Sequence, residues 1–466
     1  MNYLLPVKIV QSENIENGCS VLKKKALQIG LGEKDCLIVK GKGFICFDFG
    51  KETCGGIRIL TSWAEGGSAK IRLRFGESLA EAYSDIGYKN STNDHSPRDF
   101  ECDICSLSDL TFGQTGFRFV RIDFIEAKQV KIKAVAAEEK ILNIKPRYVY
   151  RGKDETIGRI FNAAKRTIDL CAGGEYLWDG IKRDRLVWIG DIYPEMLALT
   201  TMYGRTEIIE KSLDFIKDAT VLPAFMNDMP TYSMWWIIVL HDYYQITGCK
   251  DFLDKQIRYL EKLIKILNLN VGENGELNYD IFVDWPTRGD KDETTGTRCI
   301  NLAAAEKARA ILKAYGKDTK YACEMIVKLK KGSFAIDSKK QVIGLKYYAF
   351  GEISEEEYDL LVKGGAAGLS TFMSYFILTA IAAKDKKLAV RIMKDYYGKM
   401  LDLGATTFWE DFDIAWAQNA GGIDEFPVKG KVDIHGDFGA FCYKGYRHSL
   451  CHGWSSGVIK FIKENC

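Results

Sequence analysis

Up to about residue 145, apolar positions come in short runs that often alternate with polar ones. Examples are CLIVKGKGFICFDFG, GGIRILTSW, AKIRLRFGES, GFRFVRIDFIEA and VKIKAVAAEE. A period of two sends neighbouring side chains to opposite faces of an extended chain, so these segments predict half-buried strands. Gly, Asp and Ser clusters between them predict tight connections, and residues 1–145 read as an antiparallel β-sandwich. At NIKPRYVYRGKDETIGRIFNAAKRTIDLCAGG the period becomes helical. Pro146 ends the strand region, and Asp154 is placed to cap a helix running to about Cys171. Ten further helical segments follow: PEMLALTTMYG, EIIEKSLDFIKDA, YSMWWIIVLHDYYQITG, DFLDKQIRYLEKLIKILN, INLAAAEKARAILKAYG, YACEMIVKLKK, SEEEYDLLVKGG, LSTFMSYFILTAIAAK, KKLAVRIMKDYYGKM and WSSGVIKFIKEN. Near-continuously apolar segments alternate with amphipathic, lysine-rich ones, which predicts an inner and an outer layer. The fold class is therefore multidomain α and β: an N-terminal antiparallel β-sandwich followed by an (α/α)6 toroid over residues 146–466. A two-layer helical array without closure is the alternative.

Charge narrows the partners. The 65 basic and 63 acidic residues leave a net charge of +2, so neither nucleic acid nor an anionic membrane is expected as a partner. The start, MNYLLPVKIVQSENIENG, lacks the pattern of a signal peptide, and no apolar run is long enough to span a bilayer. Thirteen scattered cysteines, an odd number, read as free thiols in a reducing compartment, so a cytoplasmic location is expected. Cys102 and Cys105 lack the second pair that a zinc site needs, and His448 and His452 stand four apart without a third ligand. No P-loop, dinucleotide fingerprint, nucleophile elbow or EF-hand pattern occurs. No metal or cofactor is expected.

Candidate chemistry gathers at WDGIKRDRLVWIGD, Trp178 to Asp191. Asp179, Asp184 and Asp191 are spaced by five and seven. Five residues turn about 140° on a helix, and odd spacings alternate faces on a strand. Regular structure cannot gather these three acids, so their convergence requires a loop, which Gly173, Gly174, Gly180 and Gly190 favour. A surface loop with its acids paired to Lys182, Arg183 and Arg185 is the plain alternative. Against it stand Trp178, Leu186, Val187, Trp188 and Ile189, which are too apolar for a solvated loop. Three more clusters repeat the mixture: GATTFWEDFDIAW with Glu410, FVDWPTRGDKDE with Asp284 and Trp285, and HSLCHGWSSG with His448, His452 and Trp454. A sugar stacks its C–H face on an aromatic ring and offers its hydroxyl rim to carboxylates and guanidinium groups. Cleaving its glycosidic bond takes two carboxyl groups.

These stretches are similar to a known family. WDGIKRDRLVWIGD resembles the aspartate-rich signature of the α-L-rhamnosidases of glycoside hydrolase family 78, approximately D-x-P-x-R-E-x-L-G-W-x-G-D. GATTFWEDFD resembles the family's G-A-T-T-x-W-E segment. FVDWP, PTYSMWWIIVLHDYYQITG, SLCHGWSSG and, in the first domain, TGFRFVRIDF also look like family stretches, in the family's order. The resemblance implies an inner sandwich followed by a toroid with the site at its mouth, and an inverting reaction. It implies Glu410 as general base and Asp184 at the general-acid position. It further implies Asp179, Arg183, Trp188, Asp191, His452 and Trp454 as sugar-binding residues, and Trp285 joins them as apolar wall.

Three departures stand out. Asp184 replaces the usual glutamate, and an acid beside Arg183 and Arg185 tends to stay ionised. Gly180 and Ile181 replace the residues around the motif's proline. The chain also stops soon after WSSG, where the family usually carries another β-sandwich. The expected activity is removal of terminal α-L-rhamnose, or a related 6-deoxy sugar, from a small glycoside or oligosaccharide. A toroid glycosidase of different sugar specificity and a sugar-binding protein with weak or no turnover are the alternatives. The oligomeric state, a homo-oligomer included, stays open.

Overall fold

In the computed structural model, residues 2–29 and 35–466 are described. The strands of the first part are β1 (Asn2–Leu4), β2 (Lys8–Glu16), β3 (Leu37–Ala64), β4 (Ser68–Gly76), β5 (Asp99–Cys105), β6 (Ser108–Glu126) and β7 (Gln129–Glu139). They pair antiparallel in the order β1-β7-β3-β6-β4-β5, with β2 added against β3. The sandwich is one sheet bent over itself. β3 is 28 residues long, and its register against β6 breaks between Asp48 and Thr53 and again after Gly55. Its two arms flank β7, so that Val130 pairs with Val39 on one side and Ala64 on the other. At Gly55 a Cβ would lie 1.8 Å from the carbonyl oxygen of Glu138, an approach that only glycine permits. Phe47, Phe75, Phe117, Val120 and Ile122 fill the space enclosed.

A short helix α1 (Leu79–Tyr83) lies between β4 and β5. Twelve helices follow β7: α2 (Glu155–Cys171), α3 (Ile192–Tyr203), α4 (Glu207–Ala219), α5 (Pro230–Thr247), α6 (Lys250–Leu269), α7 (Glu293–Ala314), α8 (Lys320–Leu329), α9 (Lys340–Phe350), α10 (Glu355–Val362), α11 (Ser374–Ala382), α12 (Lys386–Asp402) and α13 (Val458–Asn465). Asp154 caps α2 as expected, its Oδ1 accepting the Ile157 N–H at 3.1 Å. The odd-numbered helices α3, α5, α7, α9, α11 and α13 pack each on the next, and α13 closes back on α3. Outside them lie α2, α4, α6, α8, α10 and α12, with α12 returning to α2. Closure rules out the open helical array. Burial follows the layers: every residue of α3 is buried, whereas α6 buries one stripe, including Phe252, Leu253, Ile257, Leu260 and Ile264.

Two helices were not foreseen, the short α1 in the strand region and one in the toroid. The segment KQVIGLKYYAF forms α9, whereas the pattern reading passes over it. β-branched residues, a central glycine and paired tyrosines lower its helical signal. Packing supplies the reason for the glycine: a Cβ at Gly344 would meet the backbone of Phe376 and Ile377 at 3.1 and 3.0 Å. α9 is thus held against α11 at a separation that a side chain would widen. Among the described residues, no helix is long and apolar enough to cross a membrane. All thirteen cysteines are free.

Candidate active site

The stretch from Trp178 to Asp191 is irregular and links α2 to α3. It is a tight loop tied at its base. The Asp179 carboxylate accepts the Leu186 N–H at 2.9 Å, and the Asp179 N–H donates to the Leu186 carbonyl at 3.2 Å. Gly180 pairs as an antiparallel bridge with His452. Asp184 and Arg185 form the tip with φ of 53° and 52°, an uncommon left-handed conformation for residues other than glycine. Val187 and Ile189 are buried as the sequence suggests, but Leu186 is half exposed.

All nine residues singled out from the sequence line one cavity of about 260 Å³: Asp184 and Glu410, with Asp179, Arg183, Trp188, Asp191, Trp285, His452 and Trp454. Four chain segments deliver them. Trp285 opens the turn before α7, Glu410 follows α12, and His452 and Trp454 precede α13. The acid loop precedes α3. Helices leave or enter the same end of the toroid at each of these points, so the connections meet there.

Arg183 organises the centre. Its Nη1 donates to Asp184 Oδ2 at 2.8 Å, and its Nη2 pairs with Glu410 Oε1. One planar guanidinium therefore holds a carboxylate on each arm. Glu410 is buried. Its second oxygen accepts the Ser449 N–H at 3.1 Å, and its backbone carbonyl accepts the indole N–H of Trp454 at 2.7 Å. Burial raises the Glu410 carboxyl above its usual range, with Arg183 and the Ser449 N–H opposing. Asp184 is more open, with 16% of its side chain exposed. Its Oδ1 lies 3.1 Å from Nε2 of His95.

Asp179 and Asp191 form a deeper, quieter group. His452 Nε2 is 3.8 and 3.9 Å from them, and Tyr232 donates its hydroxyl to Asp191 at 3.1 Å. Burial raises both carboxyls well above their usual value, and the repulsion of Asp184 adds to this at each. Burial keeps His452 neutral, with Arg183 acting in the same direction. Carboxyl groups beside a neutral imidazole offer acceptors for sugar hydroxyls, and a carboxyl group also donates when it carries its proton. Around them stand aromatic walls: Trp188 edge-on to Tyr232, Trp454 stacked on Phe372 at 5.1 Å, and Trp285 stacked on Phe441 at 5.0 Å. In α3's first turn, neither oxygen of buried Glu195 has a hydrogen-bond partner among the described residues, and burial raises that carboxyl well above its usual range.

Five lining residues were not singled out from the sequence: His95, Met229, Tyr232, Cys442 and Arg447. Tyr232 and Met229 sit at the start of α5; the family-like stretch PTYSMWWIIVLHDYYQITG contains Tyr232, but its apolar pattern singles out neither residue. Arg447 directly precedes the HSLCHGW cluster, and that neighbourhood was its available signal. His95 comes from the β-domain, in a polar loop that nothing in the pattern connects to the site. His448, paired with His452 by spacing, lies outside any helix and accepts the Asp411 N–H at Nε2 instead.

Lys182 shows what the loop's other charges do. Its ammonium sits between Glu77 at 3.0 Å and Glu81 at 3.2 Å, 3.4 Å from His435 Nε2, and donates to the carbonyls of Tyr446 and His448. Glu77, Glu81 and His435 are close enough together to ligate a metal, but the lysine already supplies the cation. Glu77 also accepts the Leu450 N–H at 2.6 Å and the Ser449 hydroxyl at 3.3 Å. The β-domain thereby braces the strand of backbone that orients Glu410.

Comparison with known proteins agrees with this architecture. Residues 149–323 match the model of the bacterial α-L-rhamnosidase six-hairpin glycosidase domain. Among solved structures, the fold is similar to a family 78 rhamnosidase of Bacillus sp. GL1, with a TM-score of 0.73 at 17% identity, over 96% of this chain and 48% of that one. It is similar to a rhamnosidase from Klebsiella oxytoca with rhamnose bound, with a TM-score of 0.74 at 17% identity, over 99% and 95% of the two chains. An α-L-rhamnosidase from Dictyoglumus thermophilum gives 0.70 at 15% identity, over 100% and 51%. The chain thus spans about half the length of two of these three proteins. No curated protein matches it.

Proposed function

We propose that this chain, whose residues 149–323 match the model of the bacterial α-L-rhamnosidase six-hairpin glycosidase domain, removes terminal α-L-rhamnose, or a related 6-deoxy sugar, from small glycosides with inversion. The observation that supports this most is the pair of carboxylates held on the two arms of Arg183 at a cavity sized for one sugar ring. In the proposed reaction Asp184 protonates the leaving oxygen. Glu410, steadied by the Ser449 N–H, takes a proton from the water that attacks the opposite face of the ring. Asp179, Asp191 and Arg183 hold hydroxyls, and Trp188, Trp285 and Trp454 cover the apolar face and the 6-methyl group. His452, kept neutral by burial, faces the two deep acids from 3.8 and 3.9 Å and is placed to meet a hydroxyl between them.

Release of rhamnose from p-nitrophenyl α-L-rhamnoside, abolished in Glu410→Gln, is the expected result. A wild type silent on a panel of aryl glycosides defeats the proposal. A second reading, sugar binding without turnover, rests on Asp184 being paired through both oxygens, to Arg183 and to His95. Calorimetric binding of rhamnose with no product after long incubation would favour it.

A further inference from the structure

A carboxylate flanked by a guanidinium and an imidazole is stabilised in its charged form. Asp184 has both as neighbours, the Arg183 guanidinium at 2.8 Å on one oxygen and the His95 imidazole at 3.1 Å on the other. His95 reaches Asp184 from the β-domain loop between α1 and β5. Its own backbone is left-handed, with φ of 66°.

The two loops are fastened to each other at several points. Arg185 donates to the carbonyls of His95 and Gln114 at 2.8 and 2.9 Å. Ser96 donates to the Lys182 carbonyl at 3.1 Å, and Arg447 pairs with Asp94 at 2.8 Å. With the loops clamped, His95 Nε2 stands 3.1 Å from Asp184 Oδ1 and 3.6 Å from Asp94 Oδ2. The imidazole faces Asp184 and Asp94. Of the cations around it, Arg183 and Arg447 have carboxylate partners, Asp184 and Asp94 respectively, and Arg185 donates to backbone carbonyls. The imidazole also lines the sugar cavity, and 31% of the side chain is open to solvent.

Resting on the proposed hydrolysis, we propose that His95 is the proton reservoir of the acid: His95 and Asp184 share one proton, and the pair, not Asp184 alone, is the group that titrates. The steps balance. The shared proton passes to the leaving oxygen as the glycosidic bond breaks, and Glu410 takes one proton from water as its oxygen joins the anomeric carbon. Glu410 then returns a proton to solvent, and His95, which solvent reaches, takes one up. Two groups so close lose their protons in macroscopic steps that belong to the pair. The upper step sets where activity fails at alkaline pH.

His95→Asn tests this, because asparagine tolerates the left-handed backbone that His95 occupies. With methyl α-L-rhamnoside, a poor leaving group, kcat/KM at neutral pH is expected to fall about a hundredfold. The alkaline limb of its pH profile should move to lower pH. With p-nitrophenyl α-L-rhamnoside, whose leaving group needs little protonation, the loss should be only several-fold. A limb that stays in place, or equal losses on both substrates, overturns the proposal. A second measurement needs no turnover. In protein labelled at the histidine ring carbons, the His95 resonance is identified by its loss in His95→Asn. Its titration midpoint should fall in Asp184→Asn, where a favourable carboxylate is gone. An unchanged midpoint refutes the sharing of a proton. A shifted midpoint in a protein inactive on every glycoside refutes the hydrolase reading and leaves the pairing standing.

Discussion

The two carboxylates that Arg183 joins live under opposite conditions. Glu410 is buried, takes a backbone N–H from Ser449 and is anchored at its own carbonyl by Trp454. Asp184 sits at the tip of a left-handed turn, partly open, and is held only by side chains, one of them from another domain. The difference separates two ways of preparing a group for chemistry. A base that must meet one water in one place gains from rigid backbone donors. An acid that must be reloaded with a proton at each cycle gains from contact with solvent and with a titrating neighbour. If this contrast is right, damage on the two sides should differ in size and in kind.

The largest effect is expected at the base. Glu410→Gln should lower kcat/KM on p-nitrophenyl α-L-rhamnoside by about 10³–10⁴-fold, while Asp184→Asn lowers it about tenfold, because that leaving group departs with little help. Equal losses would erase the contrast. Steady-state rates with both variants on the one substrate decide it.

Next comes the support behind the base. Lys182→Met leaves Glu77 and Glu81 facing each other without their cation, in a place where neither is exposed. Removing one partner of such a buried group costs about 3–5 kcal/mol. The expected result is a strongly lowered melting temperature. A variant that melts like the wild type would mean that the ammonium does not hold the two domains to the Tyr446–Leu450 segment.

Lys182 also separates what is local in the sequence from what is not. The loop character of residues 178–191, the Asp154 cap and the alternation of helical layers follow from spacing and period, which are local properties. Glu410 and Trp454 could be matched to the site because they sit in dense, unusual clusters of acid and tryptophan. His95 and the Glu77–Glu81 pair lie in the β-domain amid ordinary polar residues. Their importance comes only from the contact between domains, which no local pattern encodes. α9 was missed for a related reason: Gly344 weakens the helix locally but serves the packing against α11.

A smaller effect should follow from Trp454→Phe. The ring still stacks on Phe372, but the hydrogen bond to the Glu410 carbonyl is lost. A bond of this kind contributes about 1 kcal/mol, so kcat should fall about fivefold if the bond serves to aim the base. Because the cavity wall keeps its ring, KM should change less than kcat. A change in KM alone would place Trp454 in sugar binding rather than in orienting Glu410.

The mildest expectation concerns pH and the acids next to the base. Burial pushes Asp411 up to about 7 and Asp284 up to about 6. The Phe412 N–H partly opposes this at Asp411, and the Thr287 hydroxyl does so at Asp284. Each carboxyl starts from an ordinary value of 3.8, so between about pH 4 and 7 the folded chain holds protons that the unfolded chain has released. Their contribution to stability is complete below the unfolded value and is lost as pH rises through the folded one. The melting temperature should therefore decline from pH 5 to pH 8. In Asp411→Asn, which keeps the size of the group but cannot release a proton, the decline should be shallower by a few degrees. Calorimetric scans at both pH values measure it. Parallel declines in variant and wild type would show that Asp411 is charged across the range.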